Sequence, residues 1–280
     1  MKVAVLYSGY LRFIQETFPR IKEALIADEP IEFYIFSHTW DGSKPEDIEY
    51  LLKEVKPLRY LIESQKDFEV HPYQLMNIED THAEYLKNPL RLNHNAKHPN
   101  DIKNFFEKPS VENNFHFSKD VEIVKFDYYS HYPYNSMSLF YSLHQSNMLA
   151  NSWKQENKIE FDFVVRMRSD MIFTSPINLS HLNKDQITLF EAAPHTGNLG
   201  IYTVHDQFAI GNPKNMNTYH DIFIYLPAYY VIMKLDLITE IFLGYHLNRY
   251  KIPLNKIARN YTLLRYPDRN NASMISRPKE

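Results

Sequence analysis

The strongest signal for the fold is the segment Phe161-Asp162-Phe163-Val164-Val165-Arg166-Met167-Arg168-Ser169-Asp170. Its first half is an almost unbroken apolar run, which is typical of a strand buried on both faces of a parallel sheet. Its second half carries Arg166, Arg168 and Asp170 at alternate positions, so an extended chain would present all three on one face. The sequence therefore predicts a buried strand with charged residues at its carboxyl end.

The N-terminal part of the chain alternates strand and helix patterns. Apolar runs predict strands at 2–7, 31–36 and 58–62, and the segments 13–27 and 45–55 between them predict helices. This alternation predicts an α/β protein with a mostly parallel sheet flanked by helices. Ligands of such sheets bind at the carboxyl ends of the strands, so the loops at 8–12 and 37–41 are the first places to look.

Further elements follow in the middle of the chain, with strands expected at 121–126, 187–190 and 207–210 and a long helix at 136–156. The C-terminal part, 213–280, is expected to be mostly helical.

The segment 65–120, rich in Asn, His, Lys and Pro, predicts a long variable insertion over the active-site edge. No repeat or linker divides the chain, so we expect a single domain over 1–280.

Composition excludes several classes of function. The 280 residues include no cysteine, which excludes disulfides, thiolate metal sites and a cysteine nucleophile. The formal charge of −3 gives no reason to expect a nucleic-acid partner. Pro227 interrupts the apolar stretch 222–233, which is shorter than the roughly 20 residues of a membrane span. We expect a cytoplasmic protein, with a peripheral contact at the inner face of the membrane left open.

The loop after the first strand has the features of an anion site. Gly9 allows a sharp turn close to a ligand, and Arg12 offers a planar guanidinium to phosphate. Backbone amides of the loop and of the following helix would favour anions. The alternative is a plain strand-to-helix turn with a solvated arginine.

Aromatic and imidazole side chains lie near the same edge. His38 and Trp40 end the second strand, and either Trp40 or Tyr10 could stack on a base or a sugar ring. The alternative for Trp40 is a place in the core.

The segment His205-Asp206-Gln207 precedes a short apolar strand. Asp206 is the candidate general base that would take a proton from an attacking hydroxyl. Glu240, in the expected helix at 237–248, is the rival candidate. The alternatives are that Asp206 caps a turn and that Glu240 is a solvated residue on the helix surface.

Three segments together carry a family resemblance. They are Val5-Leu6-Tyr7-Ser8-Gly9-Tyr10-Leu11-Arg12, the segment 161–170, and His205-Asp206-Gln207-Phe208-Ala209-Ile210-Gly211. They resemble nucleotide-sugar glycosyltransferases of the GT-A type, more specifically the bacterial enzymes that build capsule and lipopolysaccharide chains. The resemblance implies a Rossmann-type sheet, a nucleotide-diphosphate sugar such as a UDP-sugar, and a glycan or lipid-linked glycan acceptor. It implies these residues around the sugar donor: Ser8, Gly9, Tyr10, Arg12, His38, Trp40, Arg166, Arg168 and Asp170.

The chain departs from this family at the metal motif. GT-A enzymes carry Asp-x-Asp at this strand end, whereas this chain has Arg168-Ser169-Asp170. Asp170 alone would hold Mn or Mg, so only modest metal dependence is expected, and Arg168 could neutralise phosphate directly. The alternative is that Asp170 pairs with Arg166 or a neighbour. Other functions left open are a non-catalytic nucleotide- or glycan-binding protein and a hydrolase.

Overall fold

The computed structural model describes residues 1–66, 68–70, 124–126, 131–191, 204–231 and 239–264. The strands, numbered in chain order, are β1 (Lys2–Ser8), β2 (Leu25–Ile26), β3 (Glu32–Trp40), β4 (Arg59–Glu63), β5 (Phe68–Val70), β6 (Val124–Phe126), β7 (Phe163–Met167), β8 (Met171–Phe173), β9 (Ile177–Asn178), β10 (Ile187–Phe190), β11 (Phe208–Gly211), β12 (Leu254–Ile257) and β13 (Tyr261–Leu263). The helices are α1 (Ile14–Thr17), α2 (Ile21–Ala24), α3 (Pro45–Tyr50), α4 (His131–Asn157), α5 (Pro213–His220), α6 (Ile222–Val231) and α7 (Thr239–Arg249).

Seven strands form one sheet in the order β12-β10-β11-β7-β1-β3-β4. The pairs β7–β1, β1–β3, β3–β4 and β10–β12 are parallel. Strand β11 runs antiparallel to both of its neighbours, β7 and β10. The prediction of an α/β fold with a mostly parallel sheet flanked by helices is confirmed, and the sheet is mixed.

The central strand β1 explains why the sheet forms here. Val3 and Val5 face one apolar layer, Ala4 and Leu6 face the other, and all four are fully buried. Helices α4 and α5 contribute to the layer on the Ala4 side. Residues of α1, α2 and their connection pack into the layer on the Val3 side. A strand covered on both faces needs this continuous apolar run.

The segment predicted as one helix at 13–27 is broken, so that prediction is wrong in detail. Helix α1 gives way to a 3-10 turn, Phe18–Arg20, then to α2 and the short strand β2. Pro19 lies in the 3-10 turn, and proline lacks the N–H that a continuous α-helix needs. Strand β3 is longer than predicted and runs on to Trp40, because its last residues are buried rather than exposed.

The part of the chain after residue 213 holds α5, α6 and α7, as its helical pattern indicates, together with two strands that the pattern did not reveal. Strand β12 extends the sheet beside β10, and β13 pairs with β8. Most of the expected insertion at 65–120 lies outside the described residues. Within the part of the chain that the structure describes, no helix combines the length and hydropathy needed to cross a bilayer.

Candidate functional site

The sheet topology brings the three predicted segments to one edge. Strands β1 and β7 are parallel and end side by side, with Tyr7 paired to Met167. Strand β11 runs the other way, with Phe208 paired to Met167, so the residues before β11 reach the edge where β1 and β7 end. The segments 8–12, 168–170 and 205–207 therefore meet at the carboxyl edge of β1 and β7.

Ser169 joins the first loop to the end of β7. The backbone N–H of Arg12 donates to Ser169 Oγ at 2.9 Å. The hydroxyl of Thr17 donates to the carbonyl oxygen of Ser169 at 2.6 Å. These bonds hold the first loop and the Arg168–Asp170 segment together.

The backbone amides of the first loop are occupied. Gly9, at φ +90°, donates its N–H to the His38 carbonyl (3.1 Å) and to Ser142 Oγ (2.5 Å). The N–H of Leu11 donates to Ser43 Oγ at 3.0 Å. Together with the Arg12 amide, these groups bond inside the protein and do not form the free anion cradle that the sequence suggested. These three amides are therefore not available to an anion.

Arg168 and Asp170 form a two-pronged ion pair. Arg168 Nε donates to Asp170 Oδ1 at 2.8 Å, and Nη2 donates to Oδ2 at 2.5 Å. Burial opposes the charge on Arg168, but the carboxylate outweighs it and raises the arginine pKa. Asp170 is only 1% exposed, so the pair is largely shielded from water. This is the paired alternative from the sequence, with Arg168 and not Arg166 as the partner.

Both carboxylate oxygens of Asp170 accept bonds from Arg168, so a metal ion there would compete with the guanidinium charge. Among the described residues, no group of three or more His, Asp or Glu side chains is placed to hold a metal ion.

Arg166 is the most unusual group at this edge. It is 1% exposed, and its Nε and Nη1 atoms have no hydrogen-bond partner among the described residues. Burial lowers its pKa, while the nearby Tyr219, Asp206 and Asp170 act in the opposite direction. Buried donors of this kind are nearly always satisfied, so two open ones point to a partner that the described residues do not supply.

Asp206 supplies a carboxylate to this edge from the segment that precedes β11. It is half-buried, and its charge acts on both Arg166 and Arg168. No described residue hydrogen-bonds to its side chain. Its neighbour His205 is buried and forms a chain of bonds: Gln207 N–H donates to His205 Nδ1 (3.3 Å), so Nε2 carries the proton and donates to the Tyr261 hydroxyl (2.5 Å). Burial lowers the pKa of His205, so this imidazole is neutral at pH 7.

Glu240, the rival base, lies in the first turn of α7. Its carboxylate accepts the Thr239 hydroxyl at 2.8 Å, and its carbonyl accepts the Val204 N–H at 3.3 Å. Glu240 thus adjoins the segment that leads to Asp206, but its carboxylate is engaged locally.

His38 is buried and not open to a cleft. Its Nδ1 lies 2.6 Å from Ser142 Oγ and its Nε2 lies 2.9 Å from Glu63 Oε2. Burial lowers the pKa of His38. Burial also opposes ionisation of Glu63, but bonds from His38, Lys66 and Tyr141 outweigh it and lower the Glu63 pKa.

The remaining predicted residues divide between core and edge. Trp40 is 1% exposed and stacks on Tyr141 with ring centroids 5.7 Å apart, which matches the core alternative. Tyr10 is half-buried; its hydroxyl donates to Gln65 Oε1 at 3.2 Å, and the Arg12 guanidinium lies 5.9 Å from its ring centre. Ser8 ends β1, and its buried Oγ has no hydrogen-bond partner among the described residues.

Sequence reasoning missed the side chains that organise the edge. Ser169 occupies the middle position between Arg168 and Asp170, and Ser142 and Tyr261 carry no local motif. One signal was available for Ser142, because Ser138, Ser142 and Ser146 recur every fourth residue of α4 and all three are buried. Compared with known proteins, the chain matches no protein-family model and no curated protein.

Proposed function

We propose that this protein is a glycosyltransferase that moves a sugar from a nucleotide-diphosphate sugar, such as a UDP-sugar, to a glycan or lipid-linked glycan acceptor in the synthesis of a surface polysaccharide. The observation that supports it best is the meeting of Arg12, the Arg168–Asp170 pair and Asp206 at one sheet edge, above the buried Arg166. Cations gathered at the carboxyl ends of parallel strands suit a diphosphate.

The roles follow from charge and access. Arg168, whose side chain is 26% exposed, and Arg12 would neutralise the diphosphate as the bond between its oxygen and the anomeric carbon breaks. Tyr10 would lie against the base or the sugar ring. Asp206 would take the proton of the acceptor hydroxyl as that oxygen bonds to the anomeric carbon.

The proposed chemistry uses arginines where many enzymes of this kind use a metal. Both oxygens of Asp170 are bonded to Arg168, so no step is assigned to an Asp170-bound Mn or Mg ion. We expect sugar-donor binding to depend only modestly on a divalent cation.

A ligand screen tests the proposal. Thermal shift and calorimetry with UDP, other nucleoside diphosphates and UDP-sugars should find one nucleotide that raises Tm, because a ligand at 100 times its Kd adds about 2.7 kcal/mol. Arg12→Ala should weaken that binding. Lys214→Ala, at an exposed residue of α5, is the control and should not.

If no nucleoside diphosphate or sugar nucleotide shifts Tm, the proposal fails. If a nucleotide binds but no sugar reaches any glycan acceptor and none is released to water, the protein is the non-catalytic binding protein that the sequence left open. Release of free sugar alone would favour the hydrolase.

A further inference from the structure

A cavity of about 220 Å³ opens on the Val3 side of the sheet, where Met167 and Met171 belong to the apolar layer. It lies between the α1–α2 segment and the chain around β8. Buried Ile21, Ala24, Met167 and Met171 form its floor, and the partly buried Ile172 and Phe173 complete it. Thr17 also lines it.

The mouth of the cavity is polar and carries both charges. Its exposed residues are Arg20, Glu23, Thr174, Ser175 and Pro176. Neither the Arg20 guanidinium nor the Glu23 carboxylate has a hydrogen bond or an ion pair to another described residue. Two opposite charges three positions apart on a helical segment, both at the rim of an apolar cavity, offer separate partners to a carboxylate and an ammonium group.

The size and the lining limit the ligand. An apolar cavity of about 150 Å³ is large enough to hold benzene. The present cavity is larger, and its two methionines adapt easily to the shape of a guest. It therefore has room for a substituted aromatic ring or a branched aliphatic chain.

We propose that this cavity binds a small zwitterion with an apolar side group, the chemistry of a free aromatic or branched-chain amino acid. The apolar group contacts Met167 and Met171, the carboxylate meets Arg20 and the ammonium meets Glu23. The cavity adjoins the proposed sugar-donor site, because Thr17 lines it and also bonds the Ser169 carbonyl, but this proposal does not depend on the other.

Methionine-methyl NMR of the full chain tests the site directly. The chain has nine methionines, so ¹³C-methyl labelling gives a small set of signals, and Met167→Leu and Met171→Leu assign the two that matter. The probes are L-phenylalanine, L-leucine, phenylacetate (without the ammonium) and 2-phenylethylamine (without the carboxylate). We expect the two amino acids to shift the signals of Met167 and Met171 saturably, and each truncated probe to bind at least tenfold more weakly.

Variants at the mouth separate binding from folding. Arg20→Gln should weaken L-phenylalanine binding about tenfold or more, whereas Lys22→Gln, an exposed neighbour that does not line the cavity, should not. Ser175→Trp, at an exposed rim position, should close the cavity and abolish the shifts. It also removes the bond from Asn260 to Ser175 Oγ, so the unchanged signals of the other methionines serve as the check on folding.

Several outcomes overturn the proposal. They are no saturable shift with any probe, equal binding of phenylethylamine and L-phenylalanine, and shifts that persist in Ser175→Trp. Because none of these measurements uses a nucleotide, failure here leaves the proposed glycosyltransferase activity untouched.

Discussion

The two sides of the carboxyl edge differ in which polar groups lack a hydrogen-bond partner among the described residues. On the β1–β3 side, the Gly9 and Leu11 amides and the His38 ring all bond other parts of the chain. On the β7–β11 side, two nitrogens of Arg166 and the Asp206 carboxylate find no hydrogen-bond partner among the described residues. A buried polar group without a partner costs about 1–3 kcal/mol. The hydroxyls of Tyr7, Ser8 and Ser37 on the first side also lack a partner among the described residues, but the charged groups that lack one lie on the second side. We therefore treat the first side as scaffold and expect the second side to gain most from the proposed ligand.

The largest expected effect comes from Asp206. If it is the general base, Asp206→Asn should lower turnover about 10²- to 10⁴-fold, because the amide keeps the shape but cannot accept the proton. Nucleotide affinity and Tm should change little. The measurement is the transfer rate with saturating sugar donor, and Asp185→Asn, at an exposed aspartate, is the control.

If Asp206→Asn turns over normally while Glu240→Gln is inactive, the base is Glu240. If both variants are fully active, neither carboxylate is the base.

The next effect concerns Arg166. Arg166→Met should raise the Kd for the nucleotide about tenfold to a hundredfold, since a hydrogen bond to a charged group contributes about 1.5–3 kcal/mol. Stability should hold or rise, because a buried charge is replaced by apolar volume while Asp206 remains partly hydrated. Calorimetry and denaturant unfolding measure the two quantities, with Arg20→Met on the opposite face as the control.

Unchanged nucleotide affinity in Arg166→Met would contradict our assignment of the β7–β11 side as the side that binds the ligand. A large loss of stability would show that Arg166 belongs to the scaffold.

The scaffold side should respond in the opposite way. His38→Ala removes the bonds to Ser142 and Glu63 and should lower the free energy of unfolding by about 1–3 kcal/mol. Nucleotide affinity per folded molecule should stay close to that of the parent protein. His181→Ala, at an exposed histidine, is the control for both measurements. A variant that stays stable but loses the nucleotide would show that His38 serves the ligand.

The smallest effect per residue is a dependence on pH. Burial lowers the pKa of His220 to about 3 and that of His246 to about 4, well below the usual value of 6.5. Near pH 6 these two histidines therefore bind protons in the unfolded chain but not in the folded chain. The free energy of unfolding falls as pH drops below about 6.5. Between pH 7.5 and 5.5 the expected loss is roughly 1 kcal/mol for each of the two.

Denaturant unfolding at the two pH values measures this loss. His246→Gln should reduce it, because the glutamine amide can still donate to the Thr218 carbonyl but does not titrate. Equal stability at both pH values would show that these rings take up protons in the folded state.

Much of the central sheet could be predicted because its strands are continuous apolar runs. Strands β1 and β10 lie close to their predicted positions for this reason. The reversed direction of β11 could not be predicted, since a short apolar strand reads the same in either direction. This direction matters for the site. Because β11 runs antiparallel to β7, Asp206, which precedes β11, lies at the same edge as Arg168, which follows β7.

The hydrogen-bond partners of the site residues also could not be predicted from the sequence. Alternation predicts Arg166, Arg168 and Asp170 on one face. Only the fold shows that Arg168 pairs with Asp170, while two nitrogens of Arg166 have no hydrogen-bond partner among the described residues. Tyr261 and His205 are 56 positions apart, and no local pattern connects them.

The bonds that occupy the first loop also set its motion. Gly9 lies in a loop, yet its amide is tied to β3 and to the middle of α4, and the Arg12 amide is tied to the end of β7. Solvent deuterium can replace such protons only when those packed elements separate. We therefore expect these loop amides to exchange on the slow time scale of the core, and the edge to keep its shape whether or not a ligand is bound.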